Sequence, residues 1–209
     1  KKFLRGHFGE DDGILLSADR SPNLRGALAT GFSTKYPTDQ LTEVSSAIKK
    51  KQIEALIVVG EDLLESGVSE EDLKGIPVVF LGAYKNKTSD LAEVVIPTLT
   101  SFEKSGSFIN RNFRLQTFKQ AVPGPAGLLP DLHVLASLIN SFSEESDQSA
   151  DLAQVWKQMS KSPSSVFHGL SYAKIPSDGA QLDNKKWEEI PFIEKESLHF
   201  SPLKQLQEA

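Results

Sequence analysis

The 209 residues contain no cysteine and a single methionine, Met159. Without thiols this chain forms no disulfide, gives no thiolate to zinc or an iron–sulfur cluster, and has no cysteine nucleophile. Histidine is scarce: His7, His133, His168 and His199 stand far apart with no ligand spacing. Positive charge is outnumbered, 23 Lys and Arg against 28 Asp and Glu, for a formal net charge of −5. A nucleic-acid surface needs clustered cations to meet phosphates, so no nucleic-acid partner is expected. The only basic run, Lys49 to Lys51, falls at a predicted helix end, where cations offset the helix dipole. No apolar run approaches the roughly 20 residues that cross a bilayer as a helix, so direct membrane insertion is not expected. Lys1–Gly9 does not read as a secretory leader. Catalytic signatures are missing as well. There is no Gly-Lys-Ser/Thr phosphate loop, no His-Glu-x-x-His, no Gly-x-Ser-x-Gly and no Gly-x-Gly-x-x-Gly after a strand. Ser105 and Ser107 flank Gly106 without a predictable base. An initiator methionine is poorly removed before lysine, so a chain opening at Lys1 is expected to be cut from a longer polypeptide.

What is present is an ordinary globular composition, 39% hydrophobic and 24% charged. Strand and helix signals alternate over the first two-thirds. Ile14–Ala18 reads as a short strand. Ser21 and Pro22 then open a helix that Gly31 stops. A second helix covers Asp39 to Lys51, with Leu41, Val44 and Ile48 on one face. Ala55–Val59 reads as a strand buried on both faces, followed by Gly60. Asp62 with Glu65 suggests a capping box, and Ser69 with Asp72 a second cap closed by Gly75. Pro77–Leu81 is the next strand, Thr88–Ala92 a helical turn, and Glu93–Ile96 a fourth strand. This alternation predicts an α/β fold, a doubly wound, Rossmann-like, mostly parallel sheet flanked by helices.

Beyond residue 120 the pattern changes. The prediction is an α/β domain over 1–120, a proline-rich link and packed helices over 121–182, and a charged tail over 183–209. Ala121–Pro130 is an extended connection. Asp131 caps a helix with Leu132, Leu135, Ala136 and Ile139 on one face, and Ser149 caps another carrying Leu152, Val155, Trp156 and Met159.

In open α/β sheets ligands sit at the carboxyl ends of strands. The segment "VVGEDL", Val58–Leu63, ends at such a place. Gly60 allows close backbone approach, and Glu61 or Asp62 can accept from ribose hydroxyls or a guanine edge. The plainer reading makes Asp62 a cap and Glu61 a solvated residue. The loop from Gly82 to Ser89 ends at the same edge, where Asn86 and Thr88 either meet a ligand or form a turn and cap. In "EKSGSFINRNFRLQ", Glu103 and Arg114 read as an ion pair stapling an irregular segment to the sheet. Gly106 reads as a tight turn, and Asn110 and Gln116 as groups that satisfy loop backbone.

The order and spacing of these residues resemble the molybdopterin oxidoreductase family. The family pattern is an Ala-Asp-Val-Val-Leu-Pro strand followed by Glu-x-x-Gly-Thr-Phe-x-Asn-x-Glu-Gly-Arg-x-Gln. Ala92, Val94, Val95, Pro97, Glu103, Gly106, Phe108, Asn110, Arg114 and Gln116 match it. Ser21–Phe32, Ile48–Leu63 and Pro123–Leu138 resemble three flanking family segments. The likeness covers roughly residues 19–140, is faint to Leu182 and is absent from the tail. Departures are Asn112 and Phe113 where the family has Glu-Gly, Glu93 for aspartate, and Leu132 for tryptophan. The family includes formate dehydrogenases, nitrate reductases and the large G subunit of NADH:quinone oxidoreductase, respiratory complex I.

The resemblance implies the carboxyl-terminal part of a large redox subunit, most like the complex I type. Such a part would support electron transfer through iron–sulfur clusters elsewhere without catalysing alone or holding a cofactor itself. In the alternative, that of a true molybdenum enzyme, Gly60, Glu61, Asp62, Gly82 and Thr88 would contact molybdopterin guanine dinucleotide. A third reading is a free-standing small-molecule binding module. The resemblance further implies partners in the rest of the large subunit and in other redox subunits. The implied location is cytoplasmic, on the inner face of the plasma membrane through those partners.

Overall fold

The computed structural model describes residues 23–32, 40–110, 113–142 and 147–182. The predicted strand at Ile14–Ala18, the Ser21–Pro22 helix start and the tail from Asp183 lie outside the described residues.

Helix α1, Leu24–Ala29, starts from Asn23, whose backbone is left-handed at φ 61°. It stops at Gly31, φ +74°, as the sequence predicts. Helix α2, Gln40–Lys49, leads into strand β1, Leu56–Val59. Helix α3, Glu70–Leu73, is capped by Ser69, whose side chain accepts from the Asp72 N–H. Strand β2, Val78–Gly82, helix α4, Lys87–Leu91, and strand β3, Val94–Pro97, follow. The three strands are parallel in the order β1-β2-β3, with Leu56 opposite Val78 and Val79 opposite Val94. This is the predicted α/β layer.

Parallel crossovers are right-handed, so two in one direction bring both connections to the same face. That face is the core, where Val58, Val78 and Phe80 meet Leu63, Val68 and Leu73, and Ile48 of α2 packs on the cluster. On the opposite face Leu81 of β2 is fully buried but the edge strand β1 is not covered, and here the sequence reading of β1 fails. Ile57 and Val59 are 51% and 43% exposed, so β1 is buried on one face only. An apolar run cannot distinguish a strand with two covered faces from one that has a single cover.

A carboxylate ties the first two loops of this layer together. Asp62 Oδ1 accepts from the N–H groups of Leu64 and Glu65, at 3.1 and 3.4 Å. The Thr88 hydroxyl donates to the same oxygen at 3.0 Å, and the Lys87 N–H donates to Oδ2 at 3.1 Å. Thr88, fully buried, also accepts from the Leu63 N–H at 2.8 Å. Partial desolvation acts to raise the Asp62 pKa. Hydrogen bonds from Lys87, Thr88, Glu65 and Leu64 outweigh it, and the carboxyl lies below its ordinary value. The predicted capping box with Glu65 is not formed. Residues 63–67 make turns, and Glu65 instead pairs with Lys87 across the two loops, at 3.4 Å. Asn86 starts α4 with a reciprocal cap, its Oδ1 accepting from the Ser89 N–H at 2.8 Å and its own N–H donating to Ser89 Oγ at 2.9 Å.

A second sheet follows. Strands β4, Gly106–Ile109, β5, Arg114–Phe118, and β6, Ala180–Gln181, pair antiparallel in that order. The segment expected to be irregular is therefore a β-hairpin. Both of its faces carry apolar groups, which erases the usual alternation. Ile109 and Leu115 pair on the buried face. On the other face, Phe108 and Phe118 stack with ring centroids 5.1 Å apart. Gly106 is not a tight turn. It sits in β4, where a Cβ would lie 2.7 Å from Cζ of Phe118. The turn is at Asn110, which exchanges backbone bonds with Arg114 and Phe113, and whose Oδ1 accepts from the Arg114 N–H at 3.0 Å. Asn110 Nδ2 donates to Gln116 at 3.4 Å. Phe113 takes φ 57°, a glycine-like conformation, and its ring centroid lies 4.4 Å from the Arg25 guanidinium carbon.

Helices α5, Asp131–Phe142, and α6, Leu152–Met159, and a short 3₁₀ helix, Tyr172–Lys174, precede β6. Asp151, not Ser149, caps α6, and the Ser149 hydroxyl accepts from the Asp151 N–H at 3.0 Å. On α5 Ala136 is buried, whereas Ile139, expected on the packed face, is 50% exposed. Trp156, Val166, Phe167 and Leu182 close over Ile109 and Leu115 in a second core. The Tyr172 hydroxyl lies 3.1 and 2.9 Å from the Gly106 and Phe118 carbonyls, at the end of the hairpin.

Two outcomes are expected from this architecture. Asp62→Asn places an amide donor against the Lys87 N–H and should cost about 1–2 kcal/mol, the scale of a lost cap. Because the folded Asp62 pKa is depressed, its contribution is present above the unfolded value of about 4 and fades as pH falls through the folded value. Urea unfolding of both proteins should therefore differ at neutral pH and converge in strong acid. Gly106→Ala should displace the Phe118 ring and cost about 1–3 kcal/mol, read as a lower urea midpoint.

Candidate functional site

The loops after β1, β2 and β3 enclose a crevice of about 270 Å³ at the carboxyl edge of the parallel sheet. Its walls include Gly60, Tyr84, Thr98, Thr100, Phe102 and Lys104. Gly60 belongs here as the sequence reading proposes. Its φ is +70°, and a Cβ built on it would meet nothing within 4 Å, so the backbone faces open space. Gly82 also lines the crevice, but its missing side chain serves packing, since a Cβ would lie 2.5 Å from Cε1 of Phe80.

The remaining sequence candidates divide. Asp62 and Thr88 are engaged with one another and with neighbouring N–H groups, which spends them on holding the loops. Glu61 accepts from Asn86 Nδ2 through its carbonyl at 3.3 Å, and its carboxylate accepts from the Ser66 hydroxyl. Glu103 and Arg114 do not pair. Glu103 Oε2 accepts from the backbone N–H and hydroxyl of Thr100, both at 2.8 Å. Arg114 donates to the carbonyl and carboxylate of Asp178, at 2.5 and 2.7 Å. Glu103 thus shapes the β3–β4 loop, while Arg114 ties the hairpin to the segment before β6.

Several lining residues escaped the sequence reading. Tyr84 and Phe102 are 76% and 70% exposed on the crevice lip. Large aromatic rings left in water beside a strand end are the signal that would have marked them. Lys104 pairs with Asp131, the first residue of α5, and both side chains are about a quarter exposed. Asp131 reads from sequence as a cap alone. Behind this pair lies a larger groove of about 890 Å³, which includes Leu99, Phe108, Phe118, Leu132 and Val155 in its walls.

Rings, hydroxyls, the Asn86 amide that also lines the crevice, and one compensated ion pair can recognise a ligand. Among the described residues there is no group of three His, Asp or Glu placed to hold a metal ion. No described helix is long and apolar enough to cross a membrane.

The chain is 28% identical over 154 residues to the F420-dependent formate dehydrogenase 2 subunit alpha of Methanococcus maripaludis, covering 70% of this chain and 23% of that protein. It is 27% identical over 195 residues to the putative formate dehydrogenase YrhE of Bacillus subtilis, covering 77% and 20%. It is 25% identical over 145 residues to the F420-dependent formate dehydrogenase subunit alpha of Methanocaldococcus jannaschii, covering 62% and 20%. The chain thus spans about a fifth of the length of these curated relatives. The molybdopterin oxidoreductase family matches residues 18–141, more than half of the sequence, and the chain belongs to that family.

Proposed function

We propose that this chain is a nucleotide-side domain in the large subunit of a molybdopterin-dependent oxidoreductase of the formate dehydrogenase type. The observation that carries the reading is the crevice over Gly60, at the strand ends where open α/β sheets bind nucleotides. The relatives are formate dehydrogenases, which favours this reading over the complex I one reached from sequence.

The residues fit the nucleotide end of a pterin dinucleotide. The open backbone at Gly60 admits a flat group, and the rings of Tyr84 and Phe102 offer it stacking surfaces. The Thr100 hydroxyl, whose proton goes to Glu103, can still accept, and Lys104 has ammonium donors beyond the one that meets Asp131. When bound, the cofactor supplies the metal-centred oxidation–reduction step. This chain would bind and orient the nucleotide end. It carries no cysteine, so iron–sulfur clusters of the subunit would be held by other residues.

The test is elemental and nucleotide analysis of the purified large subunit. Stoichiometric molybdenum and a released guanine nucleotide are expected. Tyr84→Ala, at an exposed position, should leave thermal unfolding unchanged and lower the retained nucleotide severalfold. Iron without molybdenum or nucleotide would overturn the proposal and restore the complex I reading.

A further inference from the structure

The crevice and the larger groove behind it share a wall. Leu99, Ser101, Lys104 and Asp131 line both cavities, so the Lys104–Asp131 pair stands at the seam between them. The crevice, about 270 Å³, falls below the roughly 300–1,000 Å³ of sites that take a drug-sized ligand, whereas the groove measures about 890 Å³. A dinucleotide is too large for the crevice alone, and the groove is the adjoining space. Lys104 is the only lysine or arginine among the residues that line either cavity. The other carboxylates of the groove wall are committed elsewhere. Glu103 accepts from Thr100, and Asp151 accepts from the Ala153 and Gln154 N–H groups.

We propose that the Lys104–Asp131 pair is an exchangeable latch: the diphosphate of a bound dinucleotide takes Lys104 from Asp131 where the ligand crosses from crevice to groove. The inference rests on the reading of the crevice as a nucleotide site. It adds the residue that meets the phosphates and the residue that competes with them. An ammonium is a compact charge with three donors on a flexible stem, so it changes partners without any shift of the backbone. The pair is suited to exchange because both side chains are about a quarter exposed. A fully buried pair would strand its carboxylate when the lysine turned away. Asp131, the first residue of α5, has solvent to turn toward. Asp131 therefore lowers the affinity that Lys104 alone would give. Removing this competitor strengthens phosphate binding, whereas loss of a merely structural ion pair would leave it unchanged or weaken it.

Calorimetric titration of the whole large subunit, purified without cofactor, tests this. The probes are guanosine, guanosine diphosphate and inorganic pyrophosphate in magnesium-free buffer. The diphosphate is expected to bind severalfold tighter than guanosine. Lys104→Met should remove that gain and leave guanosine binding unchanged, while Asp131→Asn should enlarge the gain. Thermal unfolding checks that both variants fold, and Asp131→Asn, which keeps the shape of the side chain, decides the matter by itself if Lys104→Met does not. Equal affinities for guanosine and its diphosphate would overturn the latch and leave the nucleotide reading standing. A gain that survives Lys104→Met, or shrinks in Asp131→Asn, would overturn the latch as well. Pyrophosphate binding that Lys104→Met abolishes, with no binding of guanosine, would sink only the preceding proposal. Binding of none of the three probes would sink both.

Discussion

The carboxylate of Asp62 is the contact on which the arrangement of the site depends. Two loops leave the sheet at the ends of β1 and β2, and nothing in their backbones obliges them to meet. Asp62 accepts donors from both, and Thr88 closes the link from inside a fully buried position. A charged acceptor suits the task because hydrogen bonds to ionised groups are stronger than neutral ones. The link joins the two loops that carry Gly60 and Tyr84, both of which line the crevice.

This changes what the acidic residues after β1 mean. A Gly-Glu-Asp sequence at a strand end invites a ligand role for both carboxylates. The structure spends Asp62 on the scaffold and turns Glu61 toward Ser66. In the proposed nucleotide site, recognition would fall to backbone, hydroxyls and aromatic rings. Such groups bind a flat, polar ligand without paying to desolvate a fixed negative charge, which a phosphate-bearing ligand would also repel.

Legibility of the sequence followed the range of the interactions. The Ser69 cap and the strands were readable because their determinants are local, whereas the Asp62–Glu65 box and the Ser149 cap were not, since the side chains there found other partners. The Ser69 cap, the Gly31 stop and the apolar runs of β1 and β2 lie where they were expected. The hairpin was not, because Phe108–Phe118 on one face and Ile109–Leu115 on the other cancel the period of two. The pairing of Glu103 with Arg114 failed for a related reason. The partner of Arg114 is Asp178, 64 residues away, and no spacing rule reaches that far. The one-sided burial of β1 escaped because it is a property of topology, decided by which way the crossovers turn.

Phe113 holds the left-handed turn that its family fills with glycine, at an intrinsic cost of about 1–2 kcal/mol. Its ring offsets that cost by lying over the guanidinium of Arg25, which is 2% exposed. The two side chains are therefore coupled in this fold. Restoring glycine at 113 relaxes the turn but uncovers a cation in the interior, while removing Arg25 leaves an aromatic ring holding a strained backbone with no cation beneath it. The turn and the buried cation therefore share one packing contact, and a change at either side chain is felt at the other.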